Sequence, residues 1–249
     1  MSQFYFFDAN AMLGRWPTEK LAFYRVDDLV KRMDYVGIKK ALVYHSLAQF
    51  YDPMSGNRTL MEEIKGYDQL YGCWVLVPPF TLEIGTVDGI IAGMREDNVR
   101  AIRFFPKEHG FKLTPWNMGE LLSALEEKSV PVFIDSDQVE LGDIQRLCEA
   151  YPQLPVVLTR PGYRGVRMLY ALLAQYQNFY LELSSFLLYR GVEEIVEKFG
   201  AEKILFGSGM PIQDPAGAVT KLRYAEIGEE AKGMIAHQNL ERLLEQVGL

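Results

Sequence analysis

The sequence predicts an α/β protein in which residues 1–249 form a single domain, one (β/α)8 TIM barrel. Three observations predict it. Short apolar runs recur along the whole chain. They alternate with segments of helical periodicity. Their starts lie ~25 to 35 residues apart, the length of one βα unit. A doubly wound open sheet shares this alternation, but about eight units without a break or linker favour the closed barrel.

The first predicted strand is Phe4–Phe7, and the second is Lys40–Tyr44. Tyr71–Val77, Ala101–Phe105 and Val130–Ile134 follow as the third to fifth, then Val156–Leu158, Phe179–Leu183 and Ile204–Phe206. Each is an almost unbroken apolar run, as parallel strands covered on both faces should be. Between them, Val26, Leu29, Val30, Met33 and Val36 share one helical face. Leu121, Leu122 and Leu125 share another, as do Ile144, Leu147 and Cys148, and Val192, Ile195, Val196 and Phe199. The stretch from Glu229 to Gln246 reads as a closing helix anchored by Leu240, Leu243 and Leu244. The longest expected loop, Leu47 to Asn57 after the second strand, has the position of a lid.

Composition narrows the function. A net charge of −7 and the lack of a basic stripe argue against nucleic acid and against anionic membranes as partners. No apolar run is long enough to span a bilayer. Cys73 and Cys148 lie far apart in apolar surroundings, and are expected to be buried free thiols in a reducing cytoplasm. No signal-peptide pattern opens the sequence, so the expected location is cytoplasmic. A homodimer is the expected assembly.

Functional groups of such a barrel come from the C-terminal strand ends. That rule selects Asp8, Asn10 and Met12 from the first strand, and His45 and Ser46 from the second. It selects Arg103 and Lys107 from the fourth, Asp135, Ser136 and Asp137 from the fifth, and Thr159, Arg160 and Tyr163 from the sixth. The seventh gives Glu182, Ser184 and Ser185, and the eighth gives Ser208, Gly209 and Met210.

Several segments carry a resemblance. "FDANAMLG" resembles the D-x-H-x-H-x-G opening of the amidohydrolase superfamily, in its amidohydrolase 2 branch of TIM-barrel metal-dependent hydrolases. "VRAIRFFP", "VPVFIDSD", "LPVVLTRPG", "NFYLELSSF" and "EKILFGSGMP" are similar to its fourth to eighth strands, and "QNLERLL" to its closing helix. The resemblance covers nearly the whole chain, and the motifs keep the family's order and spacing. The family pattern has histidines where this chain has Asn10, Met12, Asp135 and Arg160, and an aspartate where it has Gly209. The resemblance therefore implies a degenerate metal site, with no metal and no cofactor. Met12 is a poor ligand for hard cations, and Arg160 repels them.

Asp135 and Arg160, closing neighbouring strands at equal height, are expected to form an ion pair in the mouth. Arg160 and Arg103 could hold an anionic small-molecule substrate, since an Arg fork matches a carboxylate. The resemblance to metal-independent lactonases of the superfamily implies this role for mouth arginines. Asp135 and His45 are the candidate proton-handling groups, which makes Asp135, His45 and Arg160 the expected catalytic set. Asn10, Tyr163, Ser184 and Gly209 complete the substrate-binding set, with Gly209 giving room for a ligand or a tight turn. The expected function is a metal-independent, lactonase-like hydrolase for a small carboxylate-bearing substrate. The alternative is a catalytically inactive barrel that binds a small molecule or a protein. In that case the Asp135–Arg160 pair only plugs the mouth.

Overall fold

The computed structural model describes residues 4–249. Nine strand segments run in parallel: β1 (Phe6–Leu13), β2 (Ile38–His45), β3 (Leu70–Gly72), β4 (Trp74–Val75), β5 (Ile102–Phe104), β6 (Val132–Asp135), β7 (Val156–Thr159), β8 (Phe179–Glu182) and β9 (Ile204–Leu205). They make eight barrel staves, because β3 and β4 are one apolar run that changes partner. β3 pairs with β2 and β4 with β5, and the Cys73 N–H between them donates to the Val43 carbonyl at 2.8 Å. The ring closes where Ala9 N–H donates to Phe206 and Met12 N–H to Met210, each at 2.9 Å. This is the expected (β/α)8 barrel.

Helices α1 (Val26–Val36), α2 (Ser46–Phe50), α3 (Pro53–Glu63), α4 (Val87–Glu96), α5 (Pro115–Glu127) and α6 (Leu141–Ala150) occupy the first two thirds of the chain. α7 (Val166–Gln175), α8 (Gly191–Phe199), α9 (Pro215–Arg223), α10 (Glu229–Gly233) and α11 (Asn239–Glu245) follow. The expected apolar faces are the ones that pack, with Leu29 and Met33 of α1 and Ile144, Leu147 and Cys148 of α6 buried.

Three expectations change. The Leu47–Asn57 segment is not a loop, since α2 and α3 occupy it and only Tyr51 and Asp52 lie between them. Its turn-forming residues, Asp52 and Pro53, are a helix start: Asp52 Oδ1 accepts the Ser55 N–H at 2.7 Å, and Pro53 takes the first turn. β1 runs six residues past Phe7, because a bulge sets Asp8 to Ala11 against Ala41 to Val43 and lets polar residues continue the strand. The closing helix is interrupted by a π-helical segment, Met234–Gln238.

The core has two layers. The larger fills the space between strands and helices. The smaller lies inside the barrel and contains Phe7, Met12, Leu42, Tyr44, Phe133, Val157 and Leu205, together with Leu240, Leu243 and Leu244 of α11. The closing helix thus supplies apolar side chains to the barrel interior itself. Period-two alternation along the strands decides what comes next. One step beyond Phe133, Val157 and Tyr180 on the same face stand Asp135, Thr159 and Glu182. The top interior layer is therefore polar.

Candidate functional site

The β1 bulge brings Asp8 and Asn10 into one hydrogen-bonded unit, with Asn10 N–H donating to Asp8 Oδ1 at 2.9 Å. Asp8 also takes the Ser208 N–H at 2.8 Å and the Ser208 hydroxyl, and Ser208 Oγ accepts the Met210 N–H at 3.1 Å. Asp8 is thus spent on holding the β9 end against β1. Burial raises its pKa against the pull of these hydrogen bonds.

Arg103 occupies the middle of the mouth. It lies one residue inside the end of β5, points inward and is 1% exposed. Its Nη1 pairs with Asp135 Oδ1, and its Nη2 donates to Asn10 Oδ1 at 2.9 Å. The Tyr44 ring lies under the guanidinium, with Cζ 4.5 Å from its centroid. Burial is the largest single influence and opposes the charge on Arg103, but Asp135, Tyr44, Cys73 and Glu182 together outweigh it and the pKa stays raised. Asp135 also accepts from the Thr159 hydroxyl, and its Oδ2 lies 3.4 Å from Arg160 Nη1. The expected Asp135–Arg160 pair is present, but it is the outer and longer of two.

Glu182 forms the other half of the layer and is fully buried. It accepts from Asn10 Nδ2 at 3.1 Å, from the Ser184 hydroxyl at 2.8 Å, from the Ser184 N–H and from the Arg160 N–H at 3.3 Å. Burial pushes its pKa up to about 7, with the nearby Asp8 charge adding to the rise and the hydrogen bonds only partly offsetting it. The GSG turn is built around this carboxyl. A Cβ at Gly207 would stand 1.9 Å from Glu182 Oε1. Gly209 has φ 69°, and a Cβ there would lie 3.3 Å from both Gln213 and Ser184. Gly209 therefore serves the tight turn, and it leaves no open room for a ligand.

Arg160 differs from its neighbours. Its backbone is left-handed, with φ 52°, held by Glu182 on its N–H and by the Ser136 hydroxyl on its carbonyl at 2.6 Å. Its side chain is 26% exposed, and one described side-chain hydrogen bond uses one of its five donors.

Asn10, Arg103, Asp135, Arg160 and Ser184 of the expected site thus come together in one network, with Gly209 at its border. His45 and Tyr163 do not join it. His45 caps α2, its Nδ1 accepting the Leu47 N–H at 3.1 Å, and its Nε2 lies 3.7 Å from Glu63. Burial lowers its pKa to about 4, which makes it a weak base at neutral pH, and it stands outside the central network. Tyr163 is exposed, and its described contact is with Arg164, 5.8 Å from the ring centroid. Trp16 packs edge-on against Phe50 at 4.7 Å and Tyr51 is exposed. Cys73 and Cys148 are buried free thiols, as expected. Glu182 and Thr159 stand at predicted strand ends, but the sequence assigns them no role. Their inward phase, two residues beyond Tyr180 and Val157, was the signal that could have found them.

A polar, strand-end mouth on a parallel eight-stave barrel defines a class of protein, and comparison places the chain within it. The amidohydrolase family model matches residues 52–246, so the chain belongs to the amidohydrolase family. Its fold is shared by 2,6-dihydroxybenzoate decarboxylase from Rhizobium at 13% identity, over 98% of this chain and 99% of that one, with a TM-score of 0.76. The 5-carboxyvanillate decarboxylase of Novosphingobium aromaticivorans, solved with manganese, aligns over 98% of both chains at 13% identity and a TM-score of 0.79. An uncharacterised TIM-barrel protein of Bordetella bronchiseptica covers 98% and 99% at 16% identity, with a TM-score of 0.75. None of the curated proteins matches the chain.

Proposed function

We propose that this chain is a metal-independent amidohydrolase-family barrel that binds a small carboxylate-bearing molecule at its mouth, with Arg160 as the anchor. One observation carries the reading. The Arg103 guanidinium bridges Asn10 and Asp135, two of the positions where the family pattern has histidines. The residues present do not fit a divalent metal. A fixed cation holds the centre, Met12 offers only a thioether, and Gly209 offers no side chain. Among the described residues, no three His, Cys, Asp or Glu side chains are grouped to hold an ion.

Arg160 supports the ligand class. It is the partly exposed cation of the network, and its guanidinium can meet a carboxylate in a two-pronged hydrogen bond. Its left-handed backbone is of the kind that persists where surrounding structure over-determines it, often at binding sites. The decarboxylases of similar fold act, by name, on aromatic carboxylates, the same chemical class. Binding without turnover is the stronger reading, because Arg103, Asp135 and Glu182 are each no more than 2% exposed.

A second reading, a lactonase-like hydrolase, is favoured by one observation. Glu182 carries a carboxyl with a pKa near 7 against the Arg160 backbone, and such a group can move a proton at neutral pH.

Elemental mass spectrometry of protein purified without added metal tests the first reading, paired with thermal shifts in benzoate. We expect no stoichiometric zinc, manganese or iron, a rise in Tm with benzoate, and loss of that rise in Arg160→Ala. A stoichiometric metal would overturn it. Steady lactone turnover that disappears in Glu182→Gln would establish the hydrolase instead.

A further inference from the structure

A cavity of about 680 Å³ opens on the same end of the barrel, beside the central network. Its walls come from the end of α2, the segment after β4, the segment after β5 and the first turn of α5. None of Arg103, Asp135, Arg160 and Glu182 lines it.

Two buried acceptors in this wall are left without a donor, and the hydrogen-bond pattern fixes their identity. Gln49 is 4% exposed, and its amide nitrogen donates to Glu108 Oε2 at 2.8 Å. A carboxylate only accepts, so the amide orientation is set and the other atom of the group is the carbonyl oxygen. That Oε1 is buried and has no hydrogen-bond partner among the described residues. His109 Nε2 lies 2.7 Å from the Gln49 backbone carbonyl, which also only accepts. The proton is therefore on Nε2, and Nδ1 carries a lone pair. Nδ1 too is buried and without a partner. A buried acceptor left unpaired is destabilising, and a donor supplied from outside would offset that cost.

The rest of the lining matches such a donor. Trp116, Phe80 and Tyr51 line the cavity although each is largely exposed to solvent. Glu83 and Glu108 against Lys112 leave the wall with an excess negative charge. Aromatic faces, unpaired acceptors and net negative charge together suit a protonated amine attached to a flat apolar group. We infer that this cavity is a binding site for a small aromatic or arylalkyl ammonium ion. Gln49 Oε1 and His109 Nδ1 receive the N–H groups, and Trp116 and Phe80 cover the apolar part.

The test is calorimetric titration of the full chain with 2-phenylethylamine at neutral pH, with 2-phenylethanol as the uncharged control. We expect saturable binding of the amine and at least about tenfold weaker binding of the alcohol. Trp116→Ala and Glu83→Gln, both at exposed positions, should each weaken the amine several-fold with little change in Tm. Gln49→Leu should weaken it further, and if that variant fails to fold the two exposed variants decide. The inference is overturned if the amine does not saturate at millimolar concentration, if the alcohol binds as tightly, or if the exposed variants leave the affinity unchanged. Benzoate reports on Arg160 and the amine on this cavity, so the two readings fail separately.

Discussion

Two buried titratable residues set opposite demands on this protein. Glu182 has its folded pKa raised to about 7 by burial. The folded state therefore holds its proton where the unfolded chain has lost it. Its contribution is complete below the unfolded pKa and declines as pH rises towards 7, in total about 3 kcal/mol. His45 is the reverse, since burial holds its folded pKa at about 4. Its contribution is complete above the unfolded pKa and is lost as pH falls towards 4. Between about pH 4.5 and 6.5 the two slopes oppose each other. Denaturant unfolding of Glu182→Gln should therefore show stability that climbs more steeply with pH than wild type over this range. His45→Asn, which retains a capping side chain, should shift the slope the other way. Parallel profiles for wild type and Glu182→Gln would show that the carboxyl titrates normally.

At the scale of the element, α2 and α3 show how local chemistry is misread when its context is missing. Asp52, Pro53 and Gly56 are turn-forming residues, and their density suggests a loop. In the structure Asp52 caps α3, Pro53 starts it, and Gly56 lies inside it. A Cβ at Gly56 would come within 2.1 Å of the Ala48 backbone, so this glycine lets α3 lie against α2. The same residues thus serve a helix start and a close helix contact. Asp52→Ala should cost about 1 kcal/mol, read as a lower Tm in a thermal melt, because it removes the acceptor for the Ser55 N–H. A cost near zero would mean that α3 is held by packing alone.

Across the whole molecule, the barrel is sealed at its far end by α11, whose Leu240, Leu243 and Leu244 join the interior cluster. Below them Glu241 gathers Lys40 at 2.9 Å, His237 at 2.9 Å and the Tyr5 hydroxyl, tying the helix to β2 and to the segment before β1. Burial opposes the charge on Glu241, but these hydrogen bonds prevail and hold its pKa at about 2. Leu243→Ala should destabilise the fold by about 2–5 kcal/mol, measured by urea unfolding, since it opens a cavity in the barrel interior. A cost below about 1 kcal/mol would show that α11 can settle into the space. The mouth and this base sit at opposite ends of one apolar column, so the polar layer around Arg103 has packed side chains beneath it and cannot relax downward.

The sequence by itself determined the barrel. Parallel strands buried on both faces must be apolar and helices covering them must be amphipathic, and both patterns survive in a linear chain without reference to neighbours. It also placed several of the mouth residues at strand ends, which converge in a closed barrel, although it put His45 and Tyr163 beside them and gave Glu182 and Thr159 no role. Asn10, Asp135 and Arg160 could be named on that ground alone. Only the tertiary structure decided their order. Arg103 lies one residue inside the end of its strand, and its inward phase carries its guanidinium between Asn10 and Asp135, leaving Arg160 on the outside. The roles of Gln49 and His109 were hidden for a related reason. Gln49 Oε1 is a free acceptor only because Glu108, brought from another strand end, takes its amide nitrogen, and the free nitrogen of His109 is fixed only by the Gln49 carbonyl. A side chain's hydrogen-bonding state depends on partners distant in the chain, and that information is written in packing, not in local pattern.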